Sequence, residues 1–539
     1  MLSVLLIAPK TTDIQLPLPP LGLYYLAGPL IAGGIRTTVY DLSIDDESHM
    51  VSEILVGKYD MIGMSVSHVD MRQNLDDLWK YRKAGDKSDK KVLFIAGGHA
   101  ATYNPKLWLD TGLIDVIFTG FAQESLTRFC QSYQELKSQH GETVAAELSA
   151  KHIAGVAFID RNNNYVSIPS EKLNDHVFKR YFSNSMSNII IPYERYSFTI
   201  DESDDTAIDV VSLYTTSHCQ GGCGFCGSQN FIKTSQRSPS NIYYLSAEEI
   251  FEMLISRCHE SSNLYILFLD EDFMVGNKSG RIRTVDLCNM ILKAKDDHLL
   301  PANLKLSCQS KAMNFMVDSV VDSHTIELMA KTGFCNVGIG IETFSDRLLG
   351  SVSINKKNAS SKSYQIVLDE LIKYGVYPTI YLILGIPNSS ADDIVESMHI
   401  SLKYMTKGAF VRISNKMDSQ PGSPLTVAGC FETVFKSWHH QKCGCISGIP
   451  DYFVPLDSDV RNMIDNLWEV KKNEITALKD EYMKFAGGIR KSQMELSKQL
   501  GVCGSMIAAL KLLRREDKVP EFIRLVEVVA TRYQISSSD

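Results

Sequence analysis

No stretch of the chain approaches the roughly 18 consecutive apolar residues that a membrane span requires, so no bilayer-crossing helix is expected. An excess of positive charge is missing too. Lys and Arg number 55 against 63 Asp and Glu, and a net charge of −8 argues against broad nucleic-acid binding, though a local basic face is compatible with it. Long repeats and low-complexity tracts are absent. The opening MLSVLLIAPK has neither a basic segment before its apolar run nor a small-residue cleavage pattern. It therefore reads as a buried strand rather than a signal peptide, and a cytoplasmic location is expected. In that reducing compartment the 12 cysteines are not expected to form a disulfide framework; clustered ones are metal ligands, and scattered ones are small core residues.

What the sequence has is length and rhythm. At 539 residues it exceeds one compact core, and two to four domains are expected. From residue 1 to about 137 the runs SVLLIAP, TTVYDL, MIGMSVS, VLFIAGG and DVIFTG alternate with amphipathic stretches, which predicts an α/β sheet of parallel strands. Ligands of such sheets sit beyond the carboxyl ends of the strands, where Ser65, Ser67, Gly97, Gly98 and Gly120 fall. The glycines there let a large flat or phosphate-bearing ligand approach the backbone. VAFIDRNNNYVSI reads as a hairpin within a connector over 146–206. The βα rhythm then returns six times, in DVVSLYTT, LYILFLDEDF, LKLSCQS, NVGIGIE, YPTIYLILG and GAFVRIS. That predicts a partial (β/α)6 barrel over 207–429, followed by a helical region over 430–539 with an apolar stripe through Val460, Ile464, Leu467, Ile475 and Leu478.

The densest chemistry lies in TTSHCQGGCGFCGSQNF, where Cys219, Cys223 and Cys226 are spaced C-x-x-x-C-x-x-C just after the first barrel strand. A structural zinc ion needs four ligands, usually two separated pairs, and only one triplet is present. Three thiolates on a glycine-rich loop can instead hold three irons of a four-iron cluster and leave the fourth open to a small molecule.

This stretch, with Phe225 before the last cysteine, resembles the motif of the radical S-adenosylmethionine (SAM) enzymes, and the resemblance extends over about 207–427. It implies a [4Fe-4S] cluster whose open iron chelates SAM, cleavage of SAM to a deoxyadenosyl radical, and an external electron donor of flavodoxin or ferredoxin type. FLDEDF, VGIGIET, ILGIPN and PGSPL match later family segments and make Asp270, Glu271, Gln309 and Glu342 candidates for SAM or substrate contacts. A helix cap or a surface ion pair is the alternative for each carboxylate. The N-terminal segments PLPPLGLYYLAGPL, GMSVS, AGGHAATYNP and TGFAQESL together resemble the cobalamin-binding domain that precedes this barrel in one subfamily. By that resemblance Ser65, Gly97 and Gly98 cradle the nucleotide tail of a Rossmann-like domain at 1–145. Ser67, His68, Gly120 and Glu124 stand at the same strand ends. Two departures matter. An Asp-x-His-x-x-Gly loop to supply a cobalt ligand is missing, and the family's Gly-Glu-Gly-Glu stretch is reduced to Gly120-Phe121-Ala122-Gln123-Glu124. His68 and His99 lie near the strand ends without replacing that ligand.

The pairing of cofactors implies methylation of an unactivated carbon in a small-molecule substrate, placed between the sheet edge and the barrel mouth. An oxidoreductase that forms or rearranges rings is the second reading, and a cobalamin-responsive regulator the third. Weaker signals are Cys430, Cys443 and Cys445 with His439 or His440 as a second metal site, and SQMELSKQLGVCGSMIAALKLLRR as a helix-turn-helix. Cys258, His218 and His259 have no evident chemical partner in the sequence.

Overall fold

The computed structural model describes every residue except 11–17, 68–69, 173, 183–190, 197, 200–206, 229–230, 232, 234–241, 258–263, 277, 487–489 and 536–539. It divides into one unit of Met1–Tyr196, Gly227–Leu245 and Lys436–Ile449, and another of Ser197–Cys226, Ser246–Phe435 and Pro450–Asp539. Among the described residues no helix is long and apolar enough to cross a membrane.

The first unit is built on the five expected strands: β1 (Ser3–Ala8), β2 (Arg36–Asp41), β3 (Met61–Ser65), β4 (Leu93–Gly97) and β5 (Val116–Phe118). They run parallel in the order β2-β1-β3-β4-β5. Alternate side chains feed two separate cores. Leu5, Ile7, Ile62, Met64 and Phe94 pack on one side, while Val4, Leu6, Met61, Ile95 and Phe118 pack on the other. Both faces must be covered for that, which is why these strands read as unbroken apolar runs. The order reverses at β1 and β3, the position where sheets of this kind open a crevice at the carboxyl ends. The predicted hairpin forms as β6 (Val156–Ile159) and β7 (Tyr165–Ser167), its turn closed by Asp160 Oδ1 accepting from the N–H groups of Asn162 and Asn164 at 2.9 and 2.8 Å. It pairs antiparallel with β5, so this part of the expected connector extends the sheet.

In the second unit, β8 (Phe198–Thr199) pairs antiparallel with β9 (Ala207–Leu213). Parallel strands β10 (Leu264–Phe268) and β11 (Lys305–Gln309) follow, then a small hairpin of β12 (Met316–Val317) and β13 (Val320–Val321), and β14 (Phe334–Glu342), β15 (Tyr377–Ile383) and β16 (Phe410–Ser414). The sheet order β16-β15-β14-β11-β10-β9-β8 keeps six parallel strands in chain sequence, as a partial (β/α)6 barrel requires. One face is apolar and buried, with Leu306, Cys308, Val337, Ile339, Ile341, Ile380 and Leu382 beneath the helices. The other carries Gln309, Tyr381 and Arg412, which are exposed or half-buried.

Two expectations for the C-terminal region are corrected. A two-stranded sheet of β17 (Thr433–His440) and β18 (Gly444–Phe453) stands where helix was expected from Cys430. Thr433, Val434, Phe435 and Trp438 favour the pleated conformation, and exposure alternates along this strand. Helix begins only at Ser458, where the Asp457 carboxylate accepts from the N–H groups of Asp459 and Val460. The helix-turn-helix is also absent, because Arg490–Leu512 is one continuous helix. Its Gly504 marks a close approach rather than a turn: a Cβ there would lie 2.8 Å from the backbone nitrogen of Ile475 on the helix Ser458–Tyr482.

Candidate functional site

The cysteine loop starts where β9 ends, and a buried carboxylate fixes its first residues. Asp270 is fully buried and accepts from Thr215 N (2.6 Å), Thr215 Oγ1 (2.5 Å), Thr216 N (2.7 Å) and Thr216 Oγ1 (3.0 Å). Burial pushes its pKa up, against the opposing hydrogen bonds from Thr215 and Thr216 and the charge of Arg283. Its contacts are thus with the strand end that carries the cysteines. Beside it, Glu271 accepts from the N–H of Cys219 at 3.0 Å. His218 is buried, with Nδ1 2.8 Å from Ser217 Oγ.

None of Cys219, Cys223 and Cys226 is in a disulfide, and all three are half-buried. A Cβ added at Gly221 would lie 3.1 Å from Cys219 Sγ and 3.8 Å from Cys223 Sγ, so both sulfurs face the same small space. The Gly221 N–H points at Cys219 Sγ, 3.2 Å away. Gly224 is wedged against the carbonyls of Val352 and Ser353, the latter 2.8 Å from where its Cβ would be, and Asn355 Nδ2 donates to Gly222 O at 2.7 Å. Burial pushes the Cys219 thiol up to about 12, with Asp272 adding to the effect. Metal binding would compensate a thiol so reluctant to ionise alone. Among the described residues no three His, Cys, Asp or Glu side chains gather closely enough for a single metal ion.

Two lysine–carboxylate pairs flank the loop, and neither was evident in the sequence. Lys311 Nζ lies 3.1 Å from Oδ2 of buried Asp272, whose Oδ1 accepts from Ser310 Oγ and Asn314 Nδ2. Lys356 Nζ bonds Gly340 O and lies 3.1 Å from Glu342 Oε1. Glu342 itself ends β14 after a bulge, with φ at +67°. On the half-open face of the sheet, Gly338 makes room for Gln309 and Tyr381. A Cβ there would meet Gln309 Cγ at 3.1 Å and Tyr381 Oη at 3.3 Å. Phe225 is half-buried.

In the other unit the expected strand ends come together. Val66 N donates to Gly97 O at 3.0 Å, and Gly98, with φ +95°, would bring a Cβ to 3.0 Å from Val66 O and 3.1 Å from Ser65 Oγ. Ser67 N donates to Asn74 Oδ1 at 2.8 Å, and Gly120 N, at φ +69°, to Thr102 Oγ1 at 3.0 Å. Glu124 accepts from Tyr181 Oη at 2.9 Å and lines a cavity of about 100 Å³ with Thr119, Phe121 and Arg128. His68 lies outside the described residues, as do Cys258 and His259. His99 stacks near Phe231, with centroids 4.8 Å apart. Among the described residues two buried polar atoms at this edge have no partner: Asn74 Nδ2, after β3, and Gln123 Oε1, after β5. A ligand rimmed with amides would satisfy both a donor and an acceptor.

The second metal site is corrected. Cys443 packs against the first unit's core, Cys430 and Cys445 are exposed, and His440 Nδ1 accepts from the N–H groups of Lys442 and Cys443 at 3.3 and 3.2 Å. The imidazole closes the hairpin turn, and no metal-binding group forms among the described residues.

Comparison with known proteins gives the two units their family. Residues 11–127 match the B12 binding domain and residues 213–400 the radical SAM superfamily. No curated protein matches the sequence significantly. Among solved structures, the cobalamin-dependent SAM radical enzyme OxsB with aqua-cobalamin bound is 13% identical, with a TM-score of 0.64 over 99% of this chain and 84% of that one. The radical SAM methyltransferase TsrM from Kitasatospora setae, with tryptophan substrate and a SAM analogue bound, is 15% identical, with a TM-score of 0.60 over 81% and 79%. At such identities the likeness is one of fold. The residues present fit the cofactors that the two domains imply: a three-cysteine loop with two of its sulfurs around Gly221 for a [4Fe-4S] cluster with SAM, and glycine-lined strand ends with amide atoms unpaired among the described residues for cobalamin. With both domains in one polypeptide, the chain belongs to the cobalamin-binding radical SAM enzymes.

Proposed function

We propose that this cobalamin-dependent radical SAM enzyme is a methyltransferase acting on an unactivated carbon of a small-molecule or natural-product intermediate. The observation that carries the reading is the three-cysteine loop, set at the end of β9 in a chain that also has a B12-binding domain. TsrM, one of the proteins of similar fold, is itself a radical SAM methyltransferase. When bound, the cofactors supply a carbon-centred radical and a transferable methyl group, and the protein supplies placement and exclusion of water.

The placement falls to a few residues. Asp270 anchors Thr215 and Thr216 and thereby fixes where Cys219 begins its loop. Gly221 and Gly224 keep Cβ atoms out of the space around the sulfurs and the 352–353 backbone. Glu342 and Gln309, at the ends of β14 and β11, are positioned to bind SAM or substrate, with Tyr381 beside them. Ser65, Ser67, Gly97, Gly98, Gly120 and Glu124 would hold the corrinoid, joined by Asn74 and Gln123. A cytoplasmic location and an external donor of flavodoxin or ferredoxin type belong to the same proposal.

The test is anaerobic purification with iron, sulfide and corrinoid assays, then incubation with SAM and candidate acceptors. Methyl transfer predicts S-adenosylhomocysteine and deoxyadenosine in equal amounts. Deoxyadenosine without S-adenosylhomocysteine would replace this reading with ring formation or rearrangement. A purified protein without iron would overturn the radical reading altogether.

A further inference from the structure

Two ammonium groups stand beside the cysteine loop, and their settings differ. Lys356 belongs to the segment that clasps the loop: Val352 and Ser353 press their carbonyls on Gly224, and Asn355 donates to Gly222 O. Its ammonium is almost wholly covered, with 14% of the side chain exposed, and is pinned between Gly340 O and Glu342. Lys311, on the Cys219 side, is 34% exposed and paired with an Asp272 carboxylate that is completely buried.

We propose that Lys356 is the residue that sets the reduction potential of the cysteine-bound cluster, with Glu342 as the opposing charge that holds it and limits its effect. This rests on the radical SAM reading of the loop and goes beyond it to the control of electron entry. One electron from the external donor adds one negative charge to the cluster and its three thiolates. A fixed cation nearby favours that state, and it does so more strongly where water is excluded.

The balance of charges differs at the two ends of the loop. Lys356 and Glu342 are covered to a similar degree, whereas at the Cys219 end a partly exposed Lys311 faces a completely buried Asp272. Burial opposes the charge on Lys356, but Glu342 and its surroundings outweigh that and keep the ammonium protonated. Lys311 is therefore the more screened by water of the two cations, and Lys356 acts in the drier setting, where a fixed charge counts for more. The ion pair also fixes the ammonium in one place, so its contribution does not fluctuate with a mobile side chain.

The test is a potentiometric titration of the full-length, anaerobically reconstituted protein without SAM, following the electron paramagnetic resonance signal of the reduced cluster. Lys356→Met should shift the midpoint to a more negative value. Lys356→Arg, which keeps the charge, should stay near the parent. Glu342→Gln, which leaves the lysine in place, should shift the midpoint upward and serves as the decisive variant if Lys356→Met loses its cluster. Lys311→Met should move it less than Lys356→Met. An unchanged midpoint in Lys356→Met with full iron content, or equal shifts in the Met and Arg variants, would overturn the proposal, as would a downward shift in Glu342→Gln. Absence of iron from the parent protein would instead defeat the radical SAM reading on which it rests.

Discussion

Asp270 and Thr215 meet twice: the carboxylate accepts from the threonine backbone N–H at 2.6 Å and from its hydroxyl at 2.5 Å, in a place with no access to water. Removing the carboxylate strands buried donors, each at a cost of about 1–3 kcal/mol. Asp270→Ala should therefore lower the thermal midpoint and leave Cys219 poorly placed. Iron per chain after anaerobic reconstitution should fall well below that of the parent, and full iron with an unchanged midpoint would show that the bonds do not matter.

Gly224 makes a more local prediction. A methyl group at this position would collide with the carbonyls of Val352 and Ser353, and overpacking of this kind costs about 1–3 kcal/mol. Gly224→Ala should reduce iron occupancy much as a single Cys223→Ala change does, while circular dichroism stays native.

At the edge of the other sheet, Asn74→Leu removes an unpaired buried amide along with the acceptor for Ser67 N. These effects oppose each other, so the thermal midpoint should change little. The corrinoid should lose a hydrogen-bonding partner, weakening its retention about fivefold for roughly 1 kcal/mol. Corrinoid per chain by absorbance, measured after dialysis, decides the matter.

Asp60 provides a pH prediction remote from the site. It is buried, with Ser3 N at 2.9 Å, Lys90 Nζ at 2.6 Å and Lys137 Nζ at 2.9 Å. Burial alone would raise its pKa, but the bonds from Lys90, Lys137 and Ser3 prevail and hold it well below the ordinary 3.8. The unfolded chain thus binds the proton more readily, and the stabilisation is complete above that ordinary value and lost as pH falls below it. In urea unfolding from about pH 7 to about pH 3, Asp60→Asn should be less stable than the parent by about 3 kcal/mol at the upper end, and the gap should only begin to narrow at the lower end, since full convergence requires a pH below the depressed folded-state value.

Much of this was legible in advance because it is local. Eleven strands announced themselves as short apolar runs, and the cysteine triplet falls within eight consecutive positions. What escaped notice depends on distant residues meeting. Lys356 lies 14 residues from Glu342, and Lys311 lies 39 from Asp272; only folding reveals that each pair closes beside the cysteines. Asn74 is a polar residue that no motif marks, yet it is fully buried. Gly501, the expected turn of the helix-turn-helix, lies inside a continuous helix, because one glycine in a helical pattern does not by itself break it. The hairpin at 433–453 was missed because its strands are only half-buried, which blurs the period-two signal.

The backbone at Glu342 has a consequence for evolution in the laboratory. Its φ of +67° is a conformation that suits glycine and costs other residues about 1–2 kcal/mol. Glu342→Gly would relieve that strain, but it would leave the covered Lys356 ammonium unpaired at a cost of about 3–5 kcal/mol, which is the larger effect. The strained backbone is thus held by the ion pair it serves, and screens for heat resistance alone should retain Glu342.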